Sequence, residues 1–227
     1  MEKIRFVIGT RCGKEEFFSA TATGRSLAFY NIPSVEFDIY GHNTRGLPVI
    51  YNESIEKARS DPAILVFLHD DIHILDFYWA DHIINSMKRF DVSGLAGNKR
   101  RLPRQPAWAF KDPSFTWDDQ QYLSGVVGHG NRFPPANFSI FGMPGQAVKL
   151  LDGLMLICQS DTLIRTGIRF DECFEFHLYD MDFCRQIDEK ALSMGTLALS
   201  VIHESGGNFG SPSWRNAYQK YLEKWGE

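Results

Sequence analysis

Apolar positions along the chain fall into short blocks separated by breaks rich in Gly, Pro and Asp. Ile4 to Ile8 (IRFVI) predicts a buried strand, and the alternating Val35 to Tyr40 (VEFDIY) predicts a second. Between them, Lys14 to Tyr30 carries Phe17, Phe18, Ala20, Leu27 and Phe29, with Gly24 interrupting, and reads as one helix with an irregular exit. Pro48 to Arg59 predicts another helix, with proline near its start and Val49, Ile55 and Ala58 inward. Ala63 to Leu68 then runs apolar without a break, between Ser60-Asp61-Pro62 and a set of acidic residues. That length and composition suit a strand buried on both faces. Two βα units therefore lead into a central strand, the order of a doubly wound nucleotide-binding half.

Further on, Ile83, Ile84, Met87 and Phe90 predict a helix over Phe77 to Phe90, and Val92 to Ala96 a short strand. From Gly97 to Lys149 the periodicity fails among Pro, Gly and eight aromatic residues from Trp108 to Phe141. An irregular stretch of that length is a substrate-facing insertion or a disordered lid. Leu150 to Cys158 (LLDGLMLIC) resumes the sheet. Ser160 or Asp161 caps a helix to Thr166, stopped by Gly167. Asp180 and Asp182 open a helix to about Met194, with Gly195 as its stop, and Thr196 to Ile202 makes a last strand. Trp214, Tyr218, Tyr221, Leu222 and Trp225 share one face of a closing helix.

Composition narrows the class. The 227 residues suffice for one α/β domain with a single core, and 44% hydrophobic and 23% charged residues are ordinary for a globular protein. A net charge of −4 gives no electrostatic basis for binding nucleic acid; the one basic run, Lys99-Arg100-Arg101 with Arg104, is short. Cys12, Cys158, Cys173 and Cys184 form no CxxC and no close pair, which fits reduced thiols. No apolar run reaches membrane-spanning length and the N-terminus lacks a signal-peptide profile. The expectation is a cytoplasmic protein without a transmembrane segment, with peripheral membrane association left open.

Chemistry-bearing residues gather where strands end. His69, Asp70, Asp71 and His73 follow the central strand, at the sheet edge where open α/β folds bind ligands. Carboxylate and imidazole there suit Mg2+ or Mn2+, with diphosphate oxygens completing the shell; solvation of the strand end is the plainer reading. Gly9-Thr10-Arg11-Cys12-Gly13 is a strand-to-loop junction of the kind that receives a nucleotide, or an ordinary glycine turn. Asp152 is the lone acid in an apolar run, so it either serves a function or caps a turn with Gly153.

Taken in order, VFLHDDI, LLDGLMLI, GIRFDECFEFHLYDMDFCRQIDEKALSMGT and VIHESGG resemble the inverting, metal-dependent glycosyltransferases of the GT-A fold, close to family 2. The match covers roughly residues 63 to 207, with a weaker one over the first two βα units. The resemblance implies an α/β, Rossmann-like GT-A fold in a single domain, with a mostly parallel central sheet flanked by helices. Residues 1–96 would bind the nucleotide sugar, 97–149 would be the insertion, and 150–227 the acceptor and catalytic half. It further implies Mn2+ or Mg2+ as cofactor, a nucleotide-diphosphate sugar donor (a UDP-sugar foremost), and a glycan, lipid-linked or small-molecule acceptor.

Carried over by position, His69-Asp70-Asp71 occupies the DxD site, with Asp71 and His69 as metal contacts. His69 replaces the family's first acid, and a shifted DxH register would bring in His73 instead. His203 matches the late histidine that completes the metal shell. Asp180 matches the general base of the ED motif, while Tyr179 stands where the family has Glu; Asp182 is a structural helix-start acid. Thr10, Arg11, Asn43, Asp70 and Asp152 would lie near the nucleotide. The alternatives are a nucleotidyltransferase, which would favour a Gly- and Lys/Arg-rich first loop, and an inactive sugar- or nucleotide-binding domain.

Overall fold

A computed structural model describes residues 2–30 and 32–227. The first three strands form where the apolar blocks lie: β1 (Ile4–Gly9), β2 (Val35–Tyr40) and β3 (Ile64–Leu68). They pair in parallel in the order β2-β1-β3, and every residue of β3 is buried. A strand with helices on both faces has no solvent side, which is why its run is uniformly apolar.

Helices α1 (Phe17–Ala20), α2 (Ala22–Ala28) and α3 (Leu47–Lys57) link these strands. The single helix expected over Lys14 to Tyr30 is thus two, and the break falls at Thr21 rather than at Gly24. Thr21 is extended; its Oγ1 donates to Phe17 O (2.9 Å) and accepts from Gly24 N (2.9 Å), capping α2. Gly24 lets the two helices meet, since a Cβ there would stand 1.9 Å from Phe17 O.

From β4 (Ile72–Ile74) and α4 (Trp79–Met87) onward the chain adds strands both to this sheet and to a second one. The path runs through β5 (Val92–Gly94), β6 (Ala96–Asn98), β7 (Leu123–His129), β8 (Asn137–Gly142), β9 (Ala147–Val148), β10 (Leu150–Leu151) and β11 (Met155–Gln159). Then come α5 (Ser160–Thr166), α6 (Tyr179–Glu189), β12 (Met194–Thr196), β13 (Val201–His203) and α7 (Pro212–Trp225). One sheet has the order β2-β1-β3-β11-β5-β12-β9, and the other the order β10-β6-β7-β13-β4, with β8 on β7. The α/β class holds. Parallel pairing fills the β2-β1-β3 end and recurs at β5-β12, while β11 runs antiparallel to both β3 and β5.

Three runs that read as one strand each are two strands, one in each sheet: β5 and β6, β10 and β11, β12 and β13. The stretch from Gly97 to Lys149 is likewise not irregular throughout, because β7 and β8 form an antiparallel pair with a bulge at Gly125/Val126. Its alternation is hidden by glycines that close packing demands. A Cβ on Gly125 (φ +116°) would lie 2.2 Å from Leu95 O, and one on Gly142 would lie 2.5 Å from Leu123 O. On the outer strand β8, Phe138 and Ile140 are exposed.

Helix α6 stops at Glu189, short of Met194, and Ala191 takes a left-handed conformation (φ 53°) just beyond it. Gly195 instead lies within β12, where a Cβ would meet the Phe90 ring at 2.2 Å. Gly167 (φ 71°) ends α5 as expected, but Ser160 Oγ is used to accept from Ala63 N (3.1 Å) rather than to cap that helix. Asp182 is fully buried and structural: Lys224 pairs with it at 2.7 Å and Trp225 Nε1 donates to it at 3.0 Å, fastening α7 to α6. Among the described residues no helix is long and apolar enough to cross a membrane.

Candidate metal centre and active site

The site begins where β3 leaves the core. His69, Asp70 and Asp71 make the turn into β4, and Thr23 at the start of α2 pins it. Thr23 N donates to Asp70 O (3.1 Å), and Thr23 Oγ1 accepts from Ile72 N (3.1 Å) while lying 2.8 Å from His69 O and 2.9 Å from Ile72 O. A turn whose backbone groups are satisfied in this way has little freedom to move its side chains.

Strand β13 delivers His203 to the same place. It pairs antiparallel with β4, His203 opposite Ile72, and Glu204 N donates to Asp71 O (3.0 Å). His69, Asp71 and His203 then offer one ligand atom each, all within 4.8 Å of one another. His203 Nε2 lies 3.3 Å from Asp71 Oδ2, and Ser205 Oγ donates to that same oxygen at 2.6 Å. Burial works to raise the Asp71 pKa, but the hydrogen bonds from His203 and Ser205 outweigh it and hold the carboxyl below its ordinary range. The second oxygen, Asp71 Oδ1, is buried without a hydrogen-bond partner among the described residues. A carboxylate held toward its ionised form, with one buried oxygen unsatisfied and two imidazoles beside it, fits a divalent cation.

The other half of the site depends on the reversed direction of β11. Because Met155 pairs with Leu68, the residues before β11 meet the residues after β3, and His69 N donates to Leu154 O (3.3 Å). Asp152 Oδ1 accepts from Leu154 N (3.1 Å), the turn-capping arrangement. Helix α6 arrives beside Gly153 after Leu178, a non-glycine residue in the left-handed region (φ 64°) that redirects the chain at a cost of about 1 kcal/mol. Its first two residues take both polar groups of one peptide residue: Tyr179 OH donates to Gly153 O (2.8 Å), and Gly153 N donates to Asp180 Oδ2 (3.1 Å). A Cβ on Gly153 would lie 2.5 Å from Tyr179 OH. Burial first, and the Asp152 carboxylate second, push Asp180 up to about 7.

His69, Asp152, Gly153 and Asp180 line one small cleft of about 110 Å³ with Trp108 and Phe176, whose ring stacks on His69 at 5.7 Å. Of the expected site residues, the structure brings His69, Asp71 and His203 into one cluster and Asp152 and Asp180 into the adjoining cleft. His73 lies outside the cluster, its Nε2 2.8 Å from Glu204. Asp70 contributes its backbone to the Thr23 contact and is not in the cluster. Thr10 and Asn43 meet at the ends of β1 and β2, where Asn43 N donates to Thr10 O (2.9 Å); the neighbouring Arg11 is exposed, and none of the three lines the cleft. Sequence reasoning missed Thr23, Ser205 and Phe176, and gave Tyr179 no task. Only Ser205 carried a signal, as a hydroxyl two residues beyond a metal-site histidine.

Solved structures share this architecture. A197 of STIV superposes with a TM-score of 0.53 at 12% identity, over 91% of this chain and 87% of that one. GalNAc-T7, solved with UDP, GalNAc and Mn2+, gives 0.60 at 11% identity, over 98% of this chain and 48% of that one. TarS of S. aureus gives 0.52 at 13% identity, over 97% and 39%. The chain thus spans about half or less of the length of the latter two. No curated protein matches it by sequence. The shared architecture is the GT-A glycosyltransferase fold. Residues 42–224 match the model of the "Glycosyltransferase like family", and the chain belongs to that family.

Proposed function

We propose that the protein transfers a sugar from a nucleotide-diphosphate sugar, UDP-linked foremost, to an acceptor hydroxyl with inversion at the anomeric carbon. Asp180 is the general base, and His69, Asp71 and His203 hold Mn2+ or Mg2+. The observation that carries this reading is the placement of the His69/Asp71/His203 cluster, with Asp71 held ionised, at a cleft that His69 shares with a carboxyl raised to about 7.

A bound divalent cation supplies neutralisation of the charge that develops on the nucleoside diphosphate as it leaves. Two imidazoles in the donor set favour Mn2+ over the harder Mg2+. Asp180 accepts the acceptor's hydroxyl proton while that oxygen bonds to C1 and the bond from C1 to the phosphate oxygen breaks. A base tuned near neutral pH is suited to this step, and the Gly153 N–H holds its carboxylate in place. One displacement inverts the centre with no covalent intermediate. The N-terminal half, including Thr10, Arg11 and Asn43, would receive the nucleotide. The acceptor would enter past Phe176, an exposed aromatic ring at the cleft that suits a glycan or another apolar-faced molecule.

A panel of nucleotide sugars, screened by thermal shift and donor hydrolysis with Mn2+, with Mg2+ and with chelator, tests this. Metal-dependent turnover of one donor that disappears in Asp180→Asn supports it. Turnover indifferent to chelator and to Asp71→Ala would remove the cation, and NMR of a product with retained anomeric configuration would remove the single displacement.

A further inference from the structure

We propose that Tyr179 is a positioning residue that fixes His69 as its Nε2–H tautomer, so that Nδ1 carries the lone pair offered to the cation. The cation's part rests on the metal-dependent reading above; the tautomer rests on hydrogen-bond geometry alone. A phenol has one hydrogen to give, and Tyr179 OH gives it to Gly153 O at 2.8 Å. A carbonyl can only accept, so the direction of that bond is settled. His69 Nε2 lies 3.0 Å from the same phenol oxygen, which with its hydrogen committed can only accept. Nε2 therefore bears the ring hydrogen, and in a neutral imidazole the free lone pair is then on Nδ1. This is the arrangement by which an outer hydrogen bond orients a metal-binding histidine.

The acceptor cannot drift. Tyr179 is 3% exposed, and its ring is packed against Tyr51 and Phe170 at 5.9 and 6.1 Å. Gly153 admits no side chain between phenol and backbone. The two motif positions at which this chain departs from the family pattern, His69 and Tyr179, are thus in direct contact. A carboxylate at position 69 would need no tautomer, whereas an imidazole does, and the phenol provides it.

Long-range ¹⁵N–¹H NMR of protein labelled in histidine reads the tautomer, and titration calorimetry with Mn2+ reads the consequence. Wild type should show His69 as Nε2–H. Tyr179→Phe should lose that preference and bind Mn2+ about 10- to 100-fold more weakly. In a His69→Asp background, adding Tyr179→Phe should change Mn2+ affinity less than about twofold, because there is no tautomer left to set. An Nδ1–H His69 in wild type overturns the proposal whether or not Tyr179→Phe folds. So does a natively melting Tyr179→Phe with unchanged Mn2+ affinity, or an equal loss in the His69→Asp background. Wild type that shows Nε2–H yet takes no Mn2+ overturns the cation's part in both readings, and the spectrum distinguishes that failure from a failure of Tyr179.

Discussion

Asp71 and Asp180 are both half-buried carboxyls at the same end of the sheet, yet their surroundings drive them in opposite directions. Asp71 has a hydroxyl and an imidazole on one oxygen, and these hold it ionised despite burial. Asp180 has backbone N–H donors from Gly153 and Met181, and these do not offset burial beside the Asp152 charge. Burial alone does not decide the outcome; the partners do. A cation ligand has to stay charged, and a base has to want a proton, so one site holds two aspartates with separate tasks.

The contrast breaks most completely at the base. Asp180→Asn keeps the shape but cannot accept a proton, so kcat should fall about 10²- to 10⁴-fold while the donor-induced thermal shift persists. At the other end, Asp71→Ala should weaken Mn2+ binding by more than about 100-fold by calorimetry, since a ligand outweighs the groups that orient it. Ser205→Ala removes the hydroxyl that helps keep Asp71 ionised, and Mn2+ affinity should drop about 10-fold with the general-base step intact.

The pH profile sharpens the comparison. Below about 7 Asp180 carries its proton and cannot take another, so kcat/KM should climb as pH rises through that region. Asp152→Asn removes the neighbouring charge that helps raise it, so the rising limb should move to lower pH; in Ser205→Ala it should stay where it is. Smallest of all, His73→Ala breaks only the pair with Glu204 outside the cluster, and Mn2+ affinity should change less than about twofold.

The parallel β2-β1-β3 end was legible in the sequence because a buried strand must be apolar throughout, and the ordered acidic and histidine motifs stood at its edges. The second sheet was not. β7 carries glycines at 125 and 128 where neighbouring backbones press in, and β8 leaves Phe138 and Ile140 in solvent, so neither shows clean alternation. Asp71, His203 and Asp180 could be named from their motifs, but what each touches could not. Ser205, Thr23 and the Tyr179 hydroxyl act through contacts between segments far apart in sequence, and no local pattern records those. Tyr179 looked like a lost acid, yet the structure gives its hydroxyl a hydrogen bond on either side.

The antiparallel insertion of β11 has a consequence for how the molecule is made. β3 is paired with β1 early in the chain, but its other edge is covered only when residues from Met155 onward exist. Until then a ribosome-bound intermediate would present an unpaired, wholly apolar strand edge, the feature that invites association with other chains. The contacts that close that edge also bring Asp152 and Gly153 beside His69. They join segments far apart in sequence, and such contacts are slow to form. Covering that edge and bringing Asp152 and Gly153 beside His69 would therefore come together, so destabilising β11 should lower soluble yield and activity together.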